Sequence, residues 1–311
     1  MVRITKDYFS IRQICESGQC FRLERLDESD EEEETYGLTA LGRYLEIRQS
    51  GKEITFDCSH QEFEQVWKSY FDLEEDYGKI IDSIDREDEY LLRAADYGSG
   101  IRILRQDLWE MIVSFLISQQ NNIKRIRKCI DLLCKTYGEE RQTESGRVYY
   151  DFPSAKVLCD APLEDLYACN LGYRSRYIHE TSLSIARGEV DLEAVKAMKH
   201  EAAKEELLKL CGVGVKVAEC ICLFALHQTE AFPIDTHINR ALRAWYPRGF
   251  PFERYKGYEG TLQQYIFYYD LKTAGVRKCT ERFTDAKQTE IVLEKGVLKN
   301  TCGTQNKEGK R

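Results

Sequence analysis

The chain has 311 residues, 42% of them apolar, and carries a net charge of −8. That length supports one large domain or two to three small ones with ample core, and the negative charge excludes loose polyanion binding by the whole surface, so any nucleic-acid site must be local. No stretch approaches a membrane span, and the opening Met1-Val-Arg-Ile-Thr-Lys lacks the apolar run of a secretion signal.

The first hundred residues read as mixed α and β. Tyr36–Ile47 and Glu53–Cys58 have the composition of short strands, with Gln49-Ser-Gly-Lys52 as a hairpin turn between them. Asp27–Glu34 places seven acids in eight residues, a run expected in a solvated loop. His60–Phe71 reads as a helix with Phe63, Trp67, Tyr70 and Phe71 turned inward.

From about residue 102 the character becomes helical. Leu108–Ile117 carries Ile112, Phe115 and Leu116 at helical spacing, and Ile123–Tyr137 continues the pattern with Ile126, Ile130 and Leu133. Further helices are expected near 163–169, 173–186, 191–198, 200–210, 215–226, 236–245 and 258–272. A polar tail follows and is expected to fray. The reading is a mainly α protein with a smaller α+β N-terminal domain at 1–101, a helical domain at 102–290 and a tail at 291–311.

Basic residues cluster locally at Lys124, Arg125, Arg127 and Lys128, at Arg174 and Arg176, and at Arg240, Arg243 and Arg248. The twelve cysteines include no CxxC pair, and Cys220 and Cys222 have the closest spacing. Small reduced core residues of an intracellular protein are therefore expected rather than disulfides or a metal centre.

The most informative stretch is Leu210-Cys-Gly-Val-Gly-Val-Lys-Val-Ala-Glu-Cys220. Two glycines flank Val213 between two helical patterns, which makes a helix, a glycine hairpin and a second helix. Gly212 and Gly214 let the backbone turn tightly and approach a ligand closely. The second helix opens with free N–H groups and a positive dipole end, which suits a phosphate. Lys216 sits in its first turn, and Cys220 lies one turn on along the same face. Asp235, in Ala231-Phe-Pro-Ile-Asp-Thr-His237, follows Lys216 by nineteen residues and stands at a favoured N-cap position.

This constellation resembles the helix-hairpin-helix DNA glycosylase superfamily. Six motifs in family order point to its 8-oxoguanine DNA glycosylase/lyase branch: Glu16-Ser-Gly-Gln-Cys-Phe-Arg22, Gly100–Asp107 leading into Phe115–Ile126, Leu171–Tyr177, the hairpin through Cys220, Asp235-Thr-His237, and Gln263-Gln-Tyr-Ile-Phe267. The resemblance implies a helix-hairpin-helix glycosylase fold with an antiparallel-sheet N-terminal domain. It implies a monomer that acts on double-stranded DNA containing 8-oxoguanine opposite cytosine, and on formamidopyrimidine lesions, in the nucleoid or the nucleus. No cofactor is implied. The iron–sulfur relatives carry four closely spaced cysteines after the hairpin domain, where this chain has only Cys279 and Cys302.

By the same resemblance Lys216 is the nucleophile, which must attack as the neutral amine, and Asp235 assists. Phe267 and Cys220 sandwich the flipped base, Gln263 binds its Watson–Crick edge, and the Gly18 carbonyl accepts the N7 hydrogen that guanine lacks. Tyr173, Arg174 and Arg125 fill the vacated stack and hold the orphaned cytosine. Gly212, Gly214, Val215 and His237 meet the DNA backbone, and the carbonyls of Leu210 and Val213 offer a site for a cation at the hairpin. One position departs from the family: Gln120 opens Gln120-Asn121-Asn122 where well-studied members begin an asparagine triplet.

Three other readings compete. A monofunctional alkyl-base glycosylase lacks the hairpin lysine. An adenine-mismatch or thymine-glycol enzyme carries the cysteine cluster. A non-catalytic helix-hairpin-helix DNA-binding module needs the glycines but not Lys216 and Asp235.

Overall fold

The N-terminal strands alternate inward apolar and outward polar residues, and that period closes one face of a sheet onto a core. The structure is a computed structural model and describes residues 1–27 and 33–273. Strands β1 (Val2–Thr5), β2 (Leu23–Arg25), β3 (Glu34–Ala40), β4 (Arg43–Ser50) and β5 (Glu53–Phe56) form an antiparallel sheet in the order β1-β5-β4-β3-β2. Leu38, Leu45, Ile47, Ile54 and Phe56 line its inner face against Phe63, Trp67, Tyr70 and Phe71. The helical stretch supplying those aromatics, His60–Tyr70, contains a π-helical turn at Phe63–Trp67.

The expected single strand Tyr36–Ile47 is instead a hairpin. The chain reverses at Leu41-Gly42, both at positive φ (+53° and +70°), so β3 pairs with β4. Positive φ at both central residues matches the right-handed twist of the strands, and Gly42 supplies half of it without strain. The turn at Gly51 forms as expected between β4 and β5. Glu34 also departs from the loop reading. It opens β3 and pairs with Arg12 and Arg25. Residues 28–32 of the acidic run, together with Cys279, Cys302 and the expected tail, lie outside the described residues.

The helical body is built around Leu108–Ser118, whose residues Leu108 through Ile117 are all buried. A helix apolar on every side must sit at the centre of its neighbours. Asp107 caps it by accepting the Glu110 N–H at 2.8 Å. Ile123–Tyr137, Arg174–Ala186 and Val215–Phe224 supply most of the surrounding core. A third apolar cluster joins Tyr77, Ile80, Tyr90 and Leu91 to Phe232, Ile238, Phe250, Leu262 and Tyr265, uniting segments far apart in the chain. Residues Met1–Tyr269 form one compact unit, and the second begins at Asp270. Among the described residues no helix is long and apolar enough to cross a membrane.

Candidate active site

The hairpin is shaped by one glycine in particular. Gly212 has φ +80°, and a Cβ there would meet the Tyr177 ring at 2.5 Å. Only glycine satisfies both constraints. The Val213 N–H closes the turn on the Leu210 carbonyl at 3.1 Å. Two further contacts anchor the hairpin: Thr181 Oγ1 donates to the Cys211 carbonyl at 3.0 Å, and Gln119 Nε2 donates to the Gly212 carbonyl at 3.1 Å.

Gly214 then stands as the extended N-cap of helix Val215–Phe224, and no side chain caps its first turn. The leading N–H groups of a helix without a capping side chain form an anion-binding end. Val215, 63% exposed, lies at that mouth. Lys216 follows, half-buried, with Nζ 5.6 Å from the centre of the Phe115 ring. One turn on, Cys220 is buried. Burial pushes its thiol up, Lys216 opposes that shift by charge and hydrogen bond, and the Asp235 carboxylate adds to it. Lys216, Cys220 and Asp235 therefore share one electrostatic neighbourhood.

Asp235 caps the next helix, Thr236–Trp245, by accepting the Ile238 N–H at 2.8 Å. His237, in the first turn, sits edge-on to Phe267 at 5.4 Å between ring centres, and its Nδ1 is 3.2 Å from Arg240 Nη2. Phe267 and Gln263 lie one turn apart on the helix that begins at residue 259, so they share a face. Gln263 is buried, and its Nε2 donates to the Pro233 carbonyl at 2.8 Å, two residues before Asp235.

The Phe267 ring also meets Gly18, at φ +74°, where an added Cβ would lie 3.4 Å from the ring. The surrounding Ser17-Gly18-Gln19 turn is held from within. Buried Gln19 accepts from Leu104 N at 3.0 Å and donates to the Arg102 carbonyl at 2.9 Å, while its own carbonyl accepts from Gln106 Nε2 at 2.8 Å. Gly18 is thereby fixed to the segment leading into the central helix.

The second group gathers at the end of that helix. Gln120 is exposed with φ +46°, and Asn122 caps helix Ile123–Tyr137 by accepting the Arg125 N–H at 3.0 Å. Arg174 is buried at 4% exposure. Its guanidinium donates to the carbonyls of Gln119 (2.9 Å), Gln120 (3.1 Å) and Leu171 (3.3 Å) and lies 4.5 Å from the Tyr173 ring centre. The arginine expected on the opposite base is here engaged in holding the Gln120 turn. Arg125 and Tyr173 are exposed.

Sequence reasoning passed over Glu219. It lies three residues after Lys216 and is itself buried, in a helix buried throughout from Val217 to Phe224. Its carboxylate takes up His200 Nε2 at 3.1 Å, Lys204 Nζ at 3.2 Å and the Phe232 N–H at 3.0 Å. Burial raises this carboxyl, but His200, Lys204 and the Phe232 N–H outweigh it and hold it below the usual range. An acid inside an apolar helical run was the available signal. Among the described residues no group of three or more His, Cys, Asp or Glu side chains is arranged to hold a metal ion.

Residues 1–112 match the family model for the 8-oxoguanine DNA glycosylase N-terminal domain, and residues 113–250 match the model for HhH-GPD superfamily base excision DNA repair proteins. A crystal structure of the Clostridium acetobutylicum 8-oxoguanine glycosylase/lyase, in complex with double-stranded DNA containing cytosine opposite 8-oxoguanine, superposes with a TM-score of 0.80. It is 33% identical, and the match covers 88% of this chain and 99% of that one. The N-glycosylase/DNA lyase of Saccharomyces cerevisiae is 28% identical over 264 residues, 78% of this chain and 70% of its own. The probable N-glycosylase/DNA lyase of Methanothermobacter thermautotrophicus is 31% identical over 207 residues, 60% of this chain and 64% of its own.

Proposed function

Because the chain belongs to the 8-oxoguanine DNA glycosylase family of the HhH-GPD superfamily, we propose that it excises 8-oxoguanine from duplex DNA and then cleaves the abasic site. The observation that carries this reading is the grouping of Lys216, Cys220 and Asp235 at the open N-terminus of the hairpin helix. A non-catalytic DNA-binding hairpin has no use for a lysine and a carboxylate acting on one buried thiol.

A lesion within a duplex must leave the stack before it can be attacked. The flipped base enters between Phe267 and Cys220, with Gln263 on its Watson–Crick edge. Gly18 offers its carbonyl to the N7 hydrogen of 8-oxoguanine. Guanine presents a lone pair there, so acceptor would face acceptor, and the buried polar mismatch discriminates. Gln263 meets the base by exchanging its bond to Pro233 or by presenting its oxygen.

The neutral Lys216 amine attacks C1′, and the glycosidic bond breaks with its electron pair leaving on the base. Asp235 stabilises the positive charge that develops on the sugar. The amine loses its proton, the sugar ring opens, and a protonated Schiff base forms between Lys216 and C1′. Loss of a C2′ proton then expels the 3′ phosphate by β-elimination.

The DNA backbone meets the helix end at Gly212, Gly214 and Val215, with His237 alongside. Tyr173 and Gln120, both exposed, enter the vacated stack, while the exposed Arg125 reads the orphaned cytosine and Arg174 joins it by exchanging its bonds to the Gln119 and Gln120 carbonyls. The protein works as a monomer, without a cofactor, wherever its DNA resides, and it also takes formamidopyrimidines. Borohydride trapping on duplexes bearing 8-oxoguanine opposite cytosine tests the reading directly. A covalent protein–DNA adduct is expected. Base release without an adduct would point to a monofunctional glycosylase, and neither product would point to a binding module.

A further inference from the structure

Three parts of the site reach it from different elements: Lys216 from the hairpin helix, Asp235 from the loop after it, and Gln263 from the helix beginning at 259. Glu219 lies on the same helix as Lys216, bonds the loop that carries Asp235, and reaches Gln263 through Pro233. Its carboxylate accepts the Phe232 N–H at 3.0 Å, three residues before Asp235, and the adjoining Pro233 carbonyl is the acceptor for Gln263 Nε2 at 2.8 Å. The same carboxylate binds His200 at 3.1 Å and Lys204 at 3.2 Å on helix His200–Leu207, the first arm of the hairpin.

We propose that Glu219 is a positioning residue for base excision: its hydrogen bond to the Phe232 N–H sets Asp235 and the Pro233–Gln263 contact relative to Lys216, while its ion pairs with His200 and Lys204 only brace the hairpin. The inference rests on the glycosylase reading above. Two further facts favour it. Phe232 is 7% exposed, so its N–H has little access to water as an alternative partner. The loop from Phe232 to Asp235 lies between two elements and has no ladder hydrogen bonds to fix it. A buried N–H without its partner would turn toward another acceptor and carry Asp235 with it.

Two conservative variants separate positioning from charge. Glu219→Gln keeps an acceptor oxygen within reach of Phe232 but gives up the charge. Glu219→Asp keeps the charge but draws the acceptor back by one methylene. The measurement is single-turnover excision of 8-oxoguanine with the full-length protein, alongside duplex affinity and melting temperature. Glu219→Gln is expected within about threefold of the parent rate. Glu219→Asp is expected about tenfold to a hundredfold slower, the scale of a misplaced catalytic group, with duplex affinity unchanged. Lys204→Met should lower the melting temperature and leave the rate alone. The inference is overturned if Glu219→Asp excises as fast as the parent, or if Glu219→Gln is the slower of the two.

The parent protein keeps the two readings apart. If the parent forms no adduct on 8-oxoguanine DNA, the substrate assignment fails and the variants are ranked by hydrogen exchange at the Phe232 amide. Protection kept in Glu219→Gln and lost in Glu219→Asp upholds the positioning bond. Equal protection in both overturns it.

Discussion

The Asp235 carboxylate accepts the Ile238 N–H at 2.8 Å, so the residue assigned to catalysis is also the N-cap of its helix. The two roles separate by substitution. Asparagine caps a helix about as well as aspartate, so Asp235→Asn should change stability by less than about 0.5 kcal/mol. It removes the negative charge facing the reacting sugar, and excision should fall by about a hundredfold or more. Asp235→Ala should show the same loss of rate and a further cost of about 1 kcal/mol in stability. Thermal melting and single-turnover excision on the same preparations check both. An Asn variant that melts far lower and excises normally would leave capping as the only role of Asp235.

Lys216→Gln should abolish base release, strand cleavage and borohydride trapping together. Duplex affinity should persist, because the helix N-terminus and the hairpin glycines remain. The side chain is only half-buried over Phe115, and glutamine retains the first half of its apolar stem, so the fold should hold. Normal base release by this variant would remove Lys216 as nucleophile.

Affinity for undamaged duplex should be weak and should fall steeply with salt. The net charge is −8, so only local cations can meet phosphates. Part of the basic complement is already engaged internally: Arg174 on the Gln119 and Gln120 carbonyls and Arg127 on the Cys15 carbonyl at 2.8 Å. Equilibrium binding between low and physiological ionic strength measures the slope, and a flat response would contradict it.

Acid should destabilise the protein through Asp72. This carboxylate is 5% exposed, 2.8 Å from Arg105 Nη2 and 3.2 Å from His227 Nε2. Burial pushes its carboxyl up, but His227 and Arg105 together outweigh that and lower it from 3.8 to about 2. Its folded value is below its unfolded value, so the unfolded chain takes up the proton first as pH falls. The contribution to stability is full above pH 3.8 and is lost toward pH 2. Its size is about 1 to 2 kcal/mol. Denaturant midpoints from pH 5 down to pH 2 should fall less steeply in Asp72→Asn than in the parent.

What the sequence disclosed follows from how local each signal is. Gly212, Gly214 and Lys216 lie within five residues and carry their geometry in residue type: a left-handed turn and a helix start. Asp235 was legible as a cap because capping is local chemistry. Gln263 and Phe267 were marked only by the family resemblance, and the hold of Pro233 on Gln263 from another element is beyond any local pattern. Glu219 was passed over, since its partners His200 and Phe232 adjoin it only after folding. The β3–β4 turn was missed because Leu41 occupies a left-handed position that leucine seldom takes. The core joining Tyr77 and Tyr90 to Phe250 and Tyr265 was invisible for the same reason of distance along the chain.

Gln120 stands where the family resemblance implies an asparagine, and its backbone adds a second consequence. It sits at φ +46°, a left-handed conformation that asparagine tolerates better than glutamine. Arg174 holds the Gln120 carbonyl at 3.1 Å and so keeps the turn in place despite that cost. Gln120→Asn should therefore stabilise the turn by roughly 0.5 to 1 kcal/mol. At the vacated stack glutamine is one methylene longer and loses more rotamer freedom when ordered. It must fold back or push into the space left by the flipped base. 8-Oxoguanine opposite cytosine should remain the best substrate, because the exposed Arg125 still offers paired donors to cytosine and Arg174 adds its own on releasing the turn carbonyls. Discrimination against the other three opposite bases should be weaker than in asparagine-bearing relatives by about 1 kcal/mol, the scale of one partly satisfied hydrogen bond. Gln120→Asn should restore it, sharpening the preference for cytosine by about fivefold. Single-turnover excision against each of the four opposite bases decides the matter. Four unchanged relative rates would mean that residue 120 does not read the opposite strand, and discrimination would then belong to Arg125 and Arg174 alone.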